Sequence, residues 1–394
     1  MATLLLAGCS SDPATDVVVD PEQDAGIVDG GEEASDGDAA DAPWDGPAEA
    51  TDATGDAALP SVTVALYPTP AEAGAVDGGT DDGSSSEAVL MALAAGAGGL
   101  VVDLDWSQLP QDAEGAPDSW ARLDAMASYL NQERRQLLLA VSVVNASADS
   151  RPAALQGQAW TSTATRGAMR DAIDLIYETF GQELAYVSFG MEVDRYLASH
   201  PTQAPAFVDF MSETLDYARA HPARPVTTSV GLTWSAASWS DEAVDVSDRD
   251  TLADASDAVM VAFYGLDETD HLLPPSKAVA DLGALVESIE GRPVVLHRVA
   301  YSTSTLLGGS ELKQSTFVKE LLGMVGEHRD RVPFVGIAML HDPAPEACLR
   351  FAKERRVSSS AELYAFWCST GLRLRDGAPK VGFSSFLSAA TGLQ

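Results

Sequence analysis

Past residue 60 the apolar positions follow two rhythms in alternation. Eight short runs are nearly continuous in apolar residues: SVTVALYP (61–68), GLVVDLDW (99–106), LLLAVSVVN (137–145), LAYVSFGMEVD (184–194), PVTTSVGLTW (225–234), AVMVAFYG (258–265), PVVLHRVAYS (293–302) and FVGIAMLHD (334–342). Between them lie longer stretches with apolar residues three and four apart, such as SSEAVLMALAAG, SWARLDAMASYLNQER, GAMRDAIDLIYETFG, APAFVDFMSETLDYARA and STFVKELLGMVGEHRD. The first rhythm predicts strands buried on both faces, the second amphipathic helices that cover them. Strand and helix in such alternation predict a (β/α)8 barrel over residues 61–394. A doubly wound open sheet is the runner-up. It is disfavoured because no run leads into a G-x-G-x-x-G or Walker loop.

The first sixty residues have neither rhythm. Residues 10–60 are mostly Asp, Ala, Gly, Pro and Glu, and Trp44 is an isolated aromatic among them. Such a segment buries too little apolar area to offset its ordering entropy, so it is expected to be a disordered, self-repelling tether. Before it, residues 1–9 end in Leu6-Ala7-Gly8-Cys9, which resembles the lipobox of bacterial lipoproteins. That resemblance implies a lipid on Cys9 and a place in the bacterial cell envelope, periplasmic or at the surface. The basic n-region and full apolar h-region of a secretory signal are missing here, which suggests a start codon further upstream.

Charge narrows the partners. The chain of 394 residues carries 59 acidic against 24 basic side chains, a formal net charge of -35, and no Lys or Arg precedes Arg122. A chain so acidic has no electrostatic grip on nucleic acid or on an anionic bilayer, so membrane contact is expected through the lipid alone. With Cys9 lipidated, Cys348 and Cys368 remain as a disulfide pair for an oxidising compartment. No C-x-x-C or H-E-x-x-H spacing suggests a metal, and no motif suggests a cofactor.

In a barrel, chemistry sits at the carboxyl ends of the strands. That rule selects Tyr67, Asp103, Asp105, Trp106, Asn145, Glu192, Asp194, Trp234, Tyr264, Asp267, His297, Arg298, Tyr301, His341 and Asp342. Aromatics among carboxylates suit sugars, whose ring faces stack on aromatic side chains while their hydroxyls take charged hydrogen bonds. Each aromatic has rim packing as its plainer reading. Asp103 and Asp105 of DLDW read as a solvated rim more readily than as a divalent cation site.

YVSFGMEVDRYL at the fourth run resembles the YVSxGNEVDxYL pattern of clan A (β/α)8 glycoside hydrolases, including endo-galactanase relatives. PVVLHRVAYSTS at the seventh is similar to their PIVLTEVGYPSS, and FWCSTGLRLRDGAPKVGFSSFL to their closing segment. The resemblance spans roughly residues 61–390 in element order. It implies that Glu192 stands at the acid/base position. Period-two alternation puts Tyr186, Ser188, Gly190 and Glu192 on one face and Val187, Phe189, Met191 and Val193 on the other.

Three positions depart from the pattern. Met191 stands where relatives have Asn, Ala300 where they have Gly, and Arg298 where they have the nucleophilic Glu. Retaining hydrolysis needs one carboxyl group to attack and another to protonate the leaving oxygen. A guanidinium does neither, and as a near neighbour it lowers a carboxyl pKa by about 1–3 units where a general acid needs it raised. Arg298 is therefore expected to face Glu192 as an ion pair, in a barrel that binds carbohydrate without cleaving it. Tyr67, Asp105, Trp106, Trp234, Tyr264, Arg298, Tyr301 and Asp342 are the expected ligand contacts.

Two alternatives stay open. In an active glycosidase with a rebuilt inverting pair, Glu192 or Asp342 would be the acid and Asp105, Asp194 or Asp267 the base, about 6.5–9.5 Å apart. In a purely structural protein, the mouth would be plugged by its own loops.

Overall fold

The computed structural model describes residues 61–68, 84–109, 118–180, 183–221, 225–234, 246–267, 269–355 and 361–393. Cys9, the 10–60 tether and Trp44 lie outside the described residues.

The strands are β1 (Thr63–Leu66), β2 (Gly99–Asp105), β3 (Gln136–Asn145), β4 (Ala148–Asp149), β5 (Leu184–Met191), β6 (Thr227–Ser229), β7 (Gly231–Trp234), β8 (Val259–Phe263), β9 (Val294–Val299) and β10 (Phe334–Ile337). Their order in the sheet is β6-β5-β3-β2-β1-β10-β9-β8-β7, with β4 turned back antiparallel on β3. All other pairings are parallel. Since β6 and β7 are one strand interrupted at Val230, the two ends of this order meet and the sheet nearly closes. The eight expected runs are thus the staves of a (β/α)8 barrel. The interruption is local: Ser229 Oγ donates to the carbonyls of Val230 and Ala258, and Val230 N donates to Ser256 Oγ at 3.4 Å, so side chains replace the ladder there.

Helices alternate with the strands. Those of residues Thr163–Thr179 and Glu311–Glu327 begin at Ser162 and Ser310, whose hydroxyls accept from the backbone N–H three residues on, the interaction that makes Ser a good N-cap. Side chains divide by parity along the strands. Val101, Leu138, Ala140, Tyr186, Met260, Val295 and Phe334 fill the barrel, where the Tyr186 and Phe334 rings lie 5.0 Å apart. Leu100, Leu139, Val187, Val261, Leu296 and Val335 face outward into the layer shared with the helices.

After β10 the chain forms two short helices, Pro345–Arg355 and Ala361–Trp367. A Cys348–Cys368 disulfide joins them, with Cα atoms 5.3 Å apart. Cys348, Leu363, Phe366 and Trp367 belong to the same apolar cluster as the barrel interior. This stapled pair of helices therefore packs over the strand ends rather than against the outer wall.

Candidate functional site at the barrel mouth

Two backbone irregularities build the mouth. The first is at Gly190, whose φ of +84° is open to glycine and strained for other residues, and where a Cβ would come within 2.7 Å of Val193 Cγ2. The turn there ends the period-two alternation. Met191, expected on the outer face, instead joins the inner cluster, fully buried. Glu192 follows in the left-handed region, φ 51° and ψ 46°, and opens the helix Val193–Ser199. A non-glycine residue held there carries a cost of order 1–3 kcal/mol, which the surrounding contacts offset.

The second irregularity is a bulge in β9. Leu296 pairs with Val261 and Arg298 with Ala262, while on the other side Leu296 pairs with Val335 and Val299 with Ile337. One extra residue is thus inserted at His297–Arg298, between the outward-facing Leu296 and Val299. A bulge re-aims side chains in this way, and both His297 and Arg298 are turned inward. Room for the imidazole comes from Gly231, where a Cβ would lie 3.3 Å from His297 Cε1 and 2.9 Å from the Gly190 carbonyl oxygen.

Glu192 is 1% exposed. Tyr264 donates its hydroxyl to Oε1 at 2.9 Å, and Arg195 Nε makes an ion pair with Oε2 at 3.2 Å. The expected partner, Arg298, is elsewhere: its guanidinium forms an ion pair with Asp103 of β2, and its Nε donates to the Tyr67 hydroxyl at 3.3 Å with the charge 5.2 Å from the Tyr67 ring centre. Tyr67 in turn donates to the His297 carbonyl at 3.1 Å. Burial raises the Tyr67 phenol above its ordinary value, against the pull of the Arg298 charge. The expected Glu192–Arg298 pair is therefore replaced by two separate pairs. The reason is geometric: Arg195 lies one helical turn from Glu192, and the bulge carries Arg298 toward β1 and β2.

His297 is completely buried, and burial lowers its imidazole to about 4 against the opposing charge of Glu192, so the ring is neutral at ordinary pH. Asp194 is also buried. Its Oδ1 accepts from Thr233 N at 2.7 Å, and burial raises its carboxyl to about 6 despite that bond and the Arg195 charge.

Other expected contacts lie elsewhere. Trp106 is buried and stacks on Phe210 at 6.1 Å, and Tyr301 stacks on Phe317 at 4.7 Å while donating to the Leu273 carbonyl. Trp234 is half-buried with its ring 5.5 Å from Phe263. All three pack into the barrel–helix layer, Trp106 and Tyr301 as buried core rather than as rim. Asp342 accepts from Lys380 Nζ at 2.7 Å and from Gly371 N at 2.8 Å, which ties the closing segment to the end of β10. Asp267 accepts from Thr269 and His271 within its own turn. Asp105 remains at the rim, its carboxyl raised by burial and opposed by the Arg350 charge and a hydrogen bond from Ser150.

The covering helix supplies the rest. Trp367 and Phe366 meet the Tyr264 ring edge-on at 5.3 and 6.0 Å, backing the phenol that holds Glu192. Among the described residues no group of three His, Cys, Asp or Glu side chains converges as a metal site, and no helix is long and apolar enough to cross a membrane. A groove of about 540 Å³ lies on the outer wall between the helices Pro275–Ser288 and Glu311–Glu327, away from this cluster.

The chain matches no protein-family profile and no curated protein in sequence. Solved structures do share its fold. A variant of the family 5, subfamily 18 glycoside hydrolase of Bifidobacterium longum subsp. longum, in complex with Manβ1-4GlcNAc, superposes over 84% of this chain and 78% of its own with a TM-score of 0.62 at 16% identity. The fold is glycoside hydrolase-like. The subfamily 18 enzyme of Streptomyces cattleya, in complex with GlcNAc, matches 85% of this chain and 81% of its own with a TM-score of 0.60 at 14% identity. A family 39 glycoside hydrolase of Bacteroides cellulosilyticus matches 84% of this chain and 63% of its own with a TM-score of 0.56 at 12% identity.

Within this glycoside hydrolase-like barrel the structure brings Tyr67, Asp103, Glu192, Tyr264, His297 and Arg298 together at the mouth. Sequence reasoning missed Arg195, although its i+3 spacing from Glu192 on a helix start was a usable signal. It also missed Trp367 and Phe366, for which no strand-end rule applies.

Proposed function

We propose that this chain is an envelope-anchored lipoprotein whose glycoside hydrolase-like barrel binds carbohydrate and no longer cleaves it. One observation carries the reading. At the strand position that the resemblance assigns to the nucleophile, Arg298 is ion-paired with Asp103, while both oxygens of Glu192 are engaged by Tyr264 and Arg195. Retaining hydrolysis needs one carboxyl group to attack and another to protonate the leaving oxygen, and a guanidinium at the first position can do neither. The attacking half of a retaining pair is missing at that position.

Carbohydrate binding is supported by the fold and by the sugars carried by its structural neighbours, Manβ1-4GlcNAc and GlcNAc. Cys9 would carry the anchor and residues 10–60 the tether. The rival reading, an active enzyme with a rebuilt pair, has Asp194 as a candidate base, with a carboxyl raised to about 6 and an oxygen that accepts from Thr233 N.

A glycan array that includes mannosyl and N-acetylglucosaminyl oligosaccharides tests the binding. Specific retention of one glycan class is expected, and an empty array would overturn it. Labelled palmitate tests the anchor: it should enter the protein expressed from its complete reading frame and not the Cys9→Ser variant, and equal labelling of both would remove the anchor.

A further inference from the structure

We infer that Asp103 is a specificity-determining residue that masks a carboxylate-binding site at the mouth, so that the barrel refuses acidic sugars that Arg298 would otherwise attract. The inference rests on the carbohydrate-binding reading above and deepens it.

Arg298 is the natural anion receptor of the mouth. Its guanidinium is planar and permanently charged, the fork that matches a carboxylate, and the Tyr67 hydroxyl beside Nε adds a neutral hydrogen-bonding group. The Arg298 side chain is 9% exposed and that of Asp103, its ion-pair partner, 31%, so Asp103 is the solvent-side member of the pair. A uronic acid approaching Arg298 meets the carboxylate of Asp103 first, where like charges repel, and must displace it to gain one ion pair at the loss of another.

The neighbouring acids are matched in the same way. Glu192 has Arg195, Asp342 has Lys380, and Asp105 has the charge of Arg350. Among the described residues Arg195, Lys380 and Arg298 each pair with an acid, and in a chain with a formal net charge of -35 this leaves little positive field to draw in an anion. The matched mouth favours ligands that bring hydroxyl groups and no charge. Removing Asp103 alone uncovers Arg298 and leaves the other pairs as they are.

The test is an NMR titration of the complete chain with methyl β-D-glucoside, methyl β-D-glucuronide and acetate, on wild type, Asp103→Asn, Asp103→Ser and Asp103→Asn with Arg298→Gln. Wild type should bind the glucuronide no better than the glucoside. In Asp103→Asn the preference should swing toward the glucuronide by about tenfold, the worth of one charge-assisted hydrogen-bonded pair, and shrink as salt is added. The double variant should return to the wild-type preference. Asp103→Ser opens the same place and serves if Asp103→Asn does not fold.

A wild type that already prefers the glucuronide, or a folded Asp103 variant with unchanged preference, overturns the inference. If no variant binds either glycoside but the Asp103 variants bind acetate and wild type does not, the masking stands and the carbohydrate reading falls. If acetate also fails to bind the Asp103 variants, the masking falls with it.

Discussion

Tyr264 and Glu192 are joined by a 2.9 Å hydrogen bond in which the phenol is the donor. Arg195 pairs with the other oxygen, and Arg298, at the position of the nucleophile in the pattern that the strand resembles, has no carboxylate with which to attack. Wild type is therefore expected not to cleave aryl β-glycosides at any pH. Arg298→Glu with Met191→Asn restores two residue types of the pattern that these strands resemble but sets the new carboxylate beside Asp103, where like charges repel. Adding Asp103→Asn relieves that contact, so slow turnover through a covalent glycosyl-enzyme is expected of the triple variant before the double. Brisk hydrolysis by wild type, abolished in Glu192→Gln, would show that the site was rebuilt.

Asp194 and His297 should impose opposite slopes on the pH dependence of stability. Burial raises the Asp194 carboxyl from 3.8 to about 6, so its stabilisation is complete below 3.8 and is lost as pH rises through 6. Burial lowers His297 from 6.5 to about 4, so stability is complete above 6.5 and is lost as pH falls through 4. Each is worth roughly 3 kcal/mol at 1.36 kcal/mol per unit, and between about pH 4 and 6 they nearly cancel. Asp194→Asn removes one slope and keeps an acceptor for Thr233 N. Urea unfolding should find the variant more stable than wild type at pH 7, with the gap closing toward pH 4. Parallel profiles would refute this.

The barrel was legible in the sequence because strands buried on both faces leave continuous apolar runs, and these survive even where pairing fails, as at Val230. The direction of Glu192 was legible from alternation as far as Gly190. Beyond it the positive φ resets the parity, and Met191 turns inward against the pattern. The partner of Arg298 was not legible. An extra residue in β9 is invisible in one sequence, and the choice between Asp103 and Glu192 is made by where that bulge aims the side chain. The aromatics at strand ends illustrate the same limit: Trp106 and Tyr301 have the composition of a sugar platform and the surroundings of a core.

The Cys348–Cys368 bond spans 20 residues and fastens the helices that cover the mouth. Loop closure of that length is worth about 3 kcal/mol on the chain-entropy account. Cys348→Ala with Cys368→Ala is expected to lower the unfolding free energy by about that amount. It should also loosen Trp367 from Tyr264, seen as a change in tryptophan emission before global unfolding. Two free thiols in the denatured, unreduced protein, produced in an oxidising compartment, would show that the bond does not form.

Lys380 and Asp342 form a buried ion pair, 2% and 7% exposed, whose partners are both pushed toward neutrality. Burial lowers the lysine and raises the carboxyl, and the attraction between them only partly opposes this. Such a pair adds little net stability but is costly to break, because the survivor is left charged in a dry place. Lys380→Met should therefore cost about 3–5 kcal/mol. Adding Asp342→Asn discharges the survivor while an amide oxygen still accepts from Gly371 N, so the double variant should recover much of the loss. A double-mutant cycle by urea unfolding measures the coupling, and strictly additive losses would mean that the two side chains do not act as a pair.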